Sequence, residues 1–471
     1  MENNTDTIKD LFSDQKKQVL ISRNTSASER IKVLKILKME ILNKQREIER
    51  ALREDFNKPE IETLMTEILP TITLINYTIK NLKKWMKPKK IKNSPLFFGT
   101  KNFISYESKG NVLIIAPWNY PFQLTFAPLI TAISAGNVCM IKPSEFTPNI
   151  NTVMEEILQK LFSQKEVSLI QGGVEQTQSL LSLPFDHIFF TGSTNVGKII
   201  MNKASEHLAS VTLELGGKSP AILAEDFHLD LFVEKIIWGK FINCGQTCVA
   251  PDYLMIPKHL EQEVISKLIS EIEKRYGTDI KSNNDYSEII NDKNTKRIIH
   301  MIENAKALGA KIEYGGSEVG ENKIAPTILT NLNERMDILN EEIFGPLFPI
   351  MTYENISEVT QYIEKDDHPL AIYLFTNSKQ VIETIRSKTS SGGFSVNEVL
   401  LHVGNDKLAF GGVGKSGMGK YHGEEGFKEL SNARGILIRN YPSFLNYFYP
   451  PYDSKKFDLL SFIVKRFNRF L

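Results

Sequence analysis

Apolar side chains recur at three- and four-residue steps through residues 28–56, where Ile31, Leu34, Ile36, Leu37, Ile41 and Leu42 carry the spacing. That period predicts a helix with one buried stripe. Asn57-Lys58-Pro59 breaks it, and a helical pattern resumes over residues 62–86. Beyond Tyr106 the pattern changes to short apolar runs. Residues 111–117, 137–143, 167–172, 186–192 and 210–216 read as strands, with helices over 121–136 and 149–162 between them. A second alternating block follows from about 215 to 420. Its strands fall at 219–223, 252–257, 348–353 and 370–376, and its helices at 260–276 and 291–309. Runs rich in Val, Ile and Phe that alternate with helices predict parallel sheets covered on both faces. The fold class is therefore α/β, in two lobes.

Three segments depart from that rhythm. Residues 87–102 hold Pro88, Pro95 and Gly99 among five lysines, which describes an exposed ribbon. Residues 409–426 are dense in glycine and read as tight turns. A late strand is expected over 433–441, and an aromatic, basic tail follows it.

Composition narrows the class of protein. The 471 residues carry 57 basic and 56 acidic side chains, a formal net charge of +1, which gives no global attraction for nucleic acid. Three cysteines, Cys139, Cys244 and Cys248, are too few for a disulfide framework and fit a reducing, cytoplasmic setting. The N-terminus shows no secretory leader. No apolar run approaches the roughly 20 residues of a membrane span.

Cys244 and Cys248 stand at C-x-x-x-C spacing with no second pair of ligands nearby, so no metal site is expected. Spacing alone leaves two readings open: a nucleophilic thiol, or buried thiols filling core volume. Other segments bear on that choice. Residues 110–121 leave a strand at prolines and present Trp118, Asn119 and Tyr120 at its carboxyl end. Residues 212–220 set Glu214 in an apolar strand end beside Gly216 and Gly217, and residues 341–346 place Glu342 and Phe344 before a Gly-Pro turn.

Together these segments resemble an aldehyde dehydrogenase, over essentially the chain from the first helix to about Asn440. Trp-Asn-Tyr-Pro, Lys-Pro-Ser-Glu, Gly-Gln-Thr-Cys-Val-Ala-Pro-Asp-Tyr and Phe-Gly-Gly-Val-Gly-Lys-Ser-Gly-Met-Gly resemble the class 3 branch, which includes fatty aldehyde dehydrogenases. The resemblance implies a thiolate at Cys248, directly after Gly-Gln-Thr, attacking an aldehyde carbon. The oxyanion would be held by the Asn119 amide and the Cys248 backbone N–H, and Glu214 would activate water against the resulting thioester. A free thiol ionises near pH ~8.5, so the site is expected to favour the thiolate. Cys244, one turn earlier if the segment is helical, is read as packing, and Cys139 as core.

For the cofactor, Gly192-Ser193-Thr194-Asn195-Val196-Gly197 follows a strand and opens a helix. Such a turn offers N–H groups and a helix dipole to a pyrophosphate. Ser193 and Trp118 would meet the phosphates, Lys142 and Glu145 the adenosine ribose, and Glu342 and Phe344 the nicotinamide end. A carboxylate at Glu145 repels a 2′-phosphate and favours NAD, although the class 3 branch also accepts NADP. Tyr120 and Phe410 would line the aldehyde funnel, and His402 is read as structural or pocket-lining.

The resemblance also implies a division of the chain. Residues 1–85 and 107–213 would form an NAD(P)-binding Rossmann-type domain and 214–420 a catalytic domain. Residues 86–106 and 421–443 would form an oligomerisation arm in a homodimer, and 444–471 a tail with an amphipathic helix. On that helix Leu460, Ile463, Val464, Phe467 and Leu471 share a face, with Lys465, Arg466 and Arg469 pointing outward. The tail either packs on protein or lies on a membrane surface. Two other functions stay open: a dehydrogenase passing its acyl group to coenzyme A, against which Glu214 argues, and a catalytically silent protein on the same fold.

Overall fold

The computed structural model describes residues 5–93, 97–365, 368–440 and 443–467. The chain divides into a large unit, Met1–Trp85 with Glu107–Ser431, and a small one, Met86–Tyr106 with Asn432–Leu471.

The large unit is built on two sheets. In the first, the strands Val167–Leu169, Val138–Lys142, Asn111–Ile115, His187–Thr191 and Ser210–Glu214 lie side by side in that order, all parallel, and Gly417–Met418 pairs antiparallel at the far edge. All five parallel runs were expected from their short, largely apolar stretches. Three of them are covered on both faces: every residue of Asn111–Ile115, Val138–Lys142 and His187–Thr191 is buried. The order of strands reverses beside Asn111–Ile115, which sets the carboxyl ends of Asn111–Ile115 and His187–Thr191 at a switch point.

The second sheet runs Lys311–Tyr314, Thr327–Thr330, Leu347–Tyr353, Tyr253–Pro257, Pro220–Leu223, Ala371–Phe375 and Gly393–Val396. Only its first strand is antiparallel. Gly417–Met418 thus joins the first sheet, although a boundary at residue 420 groups it with the second. The helix Gly423–Glu429 likewise belongs to the large unit, not to an arm starting at 421.

Helices flank the first sheet. The stretch expected as one helix over 28–56 is two, Ala27–Asn43 and Gln45–Phe56, parted at Lys44. Asn57 ends the second in the left-handed conformation. An earlier helix, Thr5–Arg23, was not expected. It buries Ile8, Phe12 and Gln15, and the Gln15 amide donates to the Cys139 carbonyl. That contact with a strand 124 residues away is what the local pattern could not announce.

The small unit contains a three-stranded sheet in the order Lys89–Lys90, Thr100–Ser108, Ser431–Arg439, and a helix Ser454–Phe467. Phe457, Leu460 and Val464 on that helix are exposed. Arg469 and Leu471, assigned above to its faces, lie outside the described residues. Among the described residues no helix is long and apolar enough to cross a membrane, and no cluster of His, Cys, Asp and Glu could hold a metal ion.

Candidate active site

Segments from both sheets of the large unit meet at a cleft of about 730 Å³, within the range of small-molecule sites. One wall is the loop that carries Cys248. The helix Leu229–Phe241 ends in a turn where Asn243, Cys244 and Gly245 have φ of 54°, 55° and 74°. Three successive residues with positive φ stand where a helical segment would have put Cys244 one turn before Cys248. Gly245 is required here, because a Cβ would lie 2.3 Å from the Gly345 carbonyl oxygen.

Buried amides hold this turn. Asn243 Nδ2 donates to the Asn119 and Gln246 carbonyls at 2.9 and 3.2 Å, and the Asn243 N–H donates to Glu62 at 3.0 Å. Asn119 Nδ2 donates to the Gln246 carbonyl at 3.0 Å. One amide hydrogen therefore orients Asn119, which leaves the second for the cleft that this residue lines.

Cys248 is half-buried and lines the cleft, whereas Cys244 and Cys139 are fully buried. Burial, with the Glu342 and Glu214 carboxyls facing it, pushes the Cys248 thiol up to about 12. The expectation of a resting thiolate is thereby corrected. In this arrangement the sulfur keeps its proton, first because it is buried and then because two carboxyls face it, against the opposing Cys248 and Val249 N–H groups. Burial also pushes the Cys244 thiol up to about 12, opposed by its hydrogen bond with Tyr286.

Glu214 ends its strand only 3% exposed, and both carboxyl oxygens lack a hydrogen-bond partner among the described residues. Burial raises its pKa well above the carboxylate range, opposed by Lys420 and reinforced by Glu429. Glu342 is raised to about 8, first by burial and then by Asp252. Its carboxylate lies against Gly216, where a Cβ would come within 2.5 Å of both oxygens, and accepts the Gly217 N–H.

The loop bearing Glu342 and Phe344 is clamped by charge. Lys218 pairs with Asp252 and donates to the Ile338 and Glu341 carbonyls at 2.9 and 2.8 Å; Asp252 accepts the Ile343 N–H at 2.9 Å. Arg297 gathers the Glu342 and Ile343 carbonyls at 3.2 and 2.6 Å. Phe344, at φ 45°, meets Trp118 edge to face with ring centres 5.3 Å apart.

The other end of the cleft suits an anionic dinucleotide. Ser193 caps the helix Thr194–Glu206, its Oγ accepting the Val196 N–H at 3.4 Å, and Lys198 lines the cleft beside this N-terminus. The Thr191 hydroxyl, in the same wall, is buried without a partner among the described residues. Free N–H groups, a lysine and an unpartnered hydroxyl at a switch point are the donors a pyrophosphate requires.

Residues 2–436 match the aldehyde dehydrogenase family. The chain is 40% identical to 4,4'-diaponeurosporen-aldehyde dehydrogenase of Staphylococcus aureus, covering 95% of this chain and 97% of that protein. It is 39% identical to aldehyde dehydrogenase family 3 member A2 of Pongo abelii, covering 93% and 90%. The solved substrate-bound state of Staphylococcus aureus AldH superposes with a TM-score of 0.92 at 39% identity, over 97% of this chain and 99% of that one. The chain belongs to the aldehyde dehydrogenase family. It is an oxidoreductase of a family that uses NAD or NADP.

Of the residues singled out from this aldehyde dehydrogenase's sequence, Trp118, Asn119, Gly192, Ser193, Glu214, Cys248, Glu342 and Phe344 line the one cleft. Lys142, Glu145, Gly197, Tyr120 and Phe410 are not part of that lining. Lys142 donates to the Pro143 carbonyl at 2.7 Å and faces Glu145 at 3.5 Å, at a strand's carboxyl end. Gly197 lets Leu215 pack where a Cβ would be 2.6 Å away. Phe410 stacks on His422 at 5.4 Å and neighbours His402, whose burial lowers it to about 4 and keeps it neutral.

Tyr120 is buried, its hydroxyl 2.6 Å from Thr247 Oγ1, next to the nucleophile candidate. Beneath its ring lies Lys58, 4.0 Å from the centroid, paired at 2.8 Å with Glu67, and both charges are fully buried. Glu67 also accepts the Gln123 N–H at 2.8 Å. This pair was not read from the sequence, where Lys58 appeared only as part of a helix break. Lys58→Met leaves Glu67 buried and unpaired, so a loss of about 3–5 kcal/mol of stability is expected in urea unfolding. Lys58→Met with Glu67→Gln should recover most of it.

Proposed function

We propose that this aldehyde dehydrogenase oxidises an apolar aldehyde, of medium or long aliphatic chain or aromatic, to the free carboxylic acid with NAD(P)+. The observation that carries this reading is the carboxyl of Glu214, buried in the Cys248 cleft with both oxygens unpartnered. A general base needs a lone pair free for water.

Cys248 Sγ adds to the aldehyde carbon, and its proton passes to Glu342, or through Glu214 to solvent, so that Glu214 is a free carboxylate again before hydrolysis. The second Asn119 N–H and the Cys248 N–H hold the oxyanion. When bound, the dinucleotide supplies the hydride acceptor. Ser193 and Lys198 hold its pyrophosphate, Glu145 its adenosine ribose, and Glu342 and Phe344 its nicotinamide end. Glu214 then takes a proton from water as the water oxygen adds to the Cys248 thioester. The C–S bond breaks and the acid leaves with the sulfur restored. Glu145 favours NAD over NADP by repelling a 2′-phosphate.

An apolar substrate is supported by the relative named for 4,4'-diaponeurosporen-aldehyde. We further assign 1–85 with 107–213 to the cofactor and 214–416 to catalysis, with Gly417–Met418 closing the edge of the first sheet. The small unit supplies the dimer contact. Its strand Ser431–Arg439 lies at a sheet edge with most side chains exposed, and such an edge suits pairing with a second copy. Aldehyde dehydrogenases are generally oligomeric.

Purified protein is assayed for NADH and NADPH formation over short-, medium- and long-chain aldehydes and benzaldehyde, without coenzyme A. Turnover that rises with chain length, or is highest with benzaldehyde, is the expected result. Turnover only after coenzyme A is added would replace acid formation with acyl transfer. Asn119→Ala should lower kcat by about 10²–10³, read from the same assay, because one of two oxyanion donors is lost.

A further inference from the structure

Glu214 has an electrostatic problem that its own strand does not solve. The charged and titratable groups facing it are Lys420, Glu429, Tyr421 and the Cys248 thiol. Glu429 opposes ionisation and is engaged elsewhere, accepting the Thr212 hydroxyl at 2.9 Å, with Lys109 acting on it in turn. Tyr421 and Cys248 add no positive charge. Lys420 is the one cation in the set.

The backbone fixes how Lys420 reaches this carboxyl. Gly411 has φ 149°, and a Cβ there would lie 2.8 Å from Glu214 Oε1 and 3.0 Å from Lys420 Cδ. Carboxyl and lysine stem therefore flank the same glycine. The ammonium does not close onto Glu214, because it donates to the Gly411 and Gly412 carbonyls. Among the described residues Lys420 forms no ion pair. Its charge is thus parked a short way off, half-buried, while both Glu214 oxygens stay open.

We propose that Lys420 is a positioning residue for the hydrolytic step, its ammonium supplying from a fixed distance the positive charge against which Glu214 ionises. The arrangement meets two demands that a direct ion pair could not. A buried carboxylate needs a cation to exist at neutral pH, and a base activating water needs its lone pairs unoccupied. Parking the ammonium on two carbonyls satisfies both. This inference rests on the reading of Glu214 as the base.

The sign follows directly. Without the cation Glu214 holds its proton to higher pH, so the rising limb of acid release moves to higher pH. An opposite charge at such range is worth roughly 1–3 pH units. The test uses the full chain with NAD+ and hexanal, measuring acid release by rapid quench from pH 5.5 to 10, for wild type, Lys420→Met, Lys420→Gln, Lys420→Arg and Glu214→Gln.

The expected result has three parts: both neutral variants shift the limb upward by about one unit or more, their rates rejoin wild type at the alkaline end, and arginine restores the limb. A merely structural defect would lower the rate at every pH. Superimposable limbs for wild type and the neutral variants, with acid release lost in Glu214→Gln, overturn the role of Lys420 and leave Glu214 as the base. Acid release that persists in Glu214→Gln overturns the base reading itself, and the role of Lys420 with it.

Discussion

Cys248→Ser is expected to bring NADH formation from any aldehyde below about 10⁻³ of the wild-type rate, the scale of loss when a covalent nucleophile is removed. The reason lies in the cleft. Burial and two acidic neighbours already push the thiol up to about 12. A sulfur can still act from there, since thiolates are strong nucleophiles at small population. A serine hydroxyl begins at a far higher pKa and faces the same carboxyls. The fold should not suffer, because Cys248 is only half-buried and serine is smaller. Unchanged thermal unfolding beside lost turnover is the matching control. Cys244→Ser is the contrast: its sulfur is wholly buried against Tyr286, and the change should cost stability before it costs chemistry.

Glu214→Gln should separate the two halves of the reaction. Turnover is expected to fall about 10²–10⁴-fold, the usual worth of a general base, while rapid mixing still shows a burst of NADH. The burst marks the thioester formed on Cys248 and left without a base to hydrolyse it. The same variant carries a stability signature. The folded-state pKa of Glu214 is raised above its unfolded value by burial. From about pH 4.5 upward the unfolded chain has released this proton while the folded chain keeps it, so the group costs stability as pH rises toward its folded pKa. Glutamine removes that cost. The melting temperature of Glu214→Gln should therefore exceed wild type by a margin that grows as pH rises from 5 toward the folded-state pKa. A margin that is flat with pH would mean that Glu214 is not buried as its strand places it.

These expectations were legible to different depths. The five parallel strands of the first sheet could be read because each is a short, largely apolar run that stops at Gly or Pro. A strand buried on both faces leaves that mark in its own residues. Cys248, Glu214, Asn119 and the Glu342 loop could be singled out because each sets a polar group beside glycines or prolines at the end of such a run. That mark is local too, and the resemblance to aldehyde dehydrogenases supplied the roles proposed for them.

What the tertiary structure decided involves partners distant in the chain. Gln15 meets a carbonyl 124 positions on, and Asn243 meets Asn119 across the same separation. Lys420 faces Glu214 from a turn more than two hundred residues later. Lys58 looks like a surface lysine at a helix break until Tyr120 covers it. The resting state of the Cys248 thiol belongs here as well, since the sequence motif named the sulfur and the fold chose its acidic neighbours. Hydrophobic patterning is a property of neighbours along the chain and survives as sequence. Charge compensation in a buried site depends on which backbone segments the topology brings within a few ångströms, and no spacing along the chain records that.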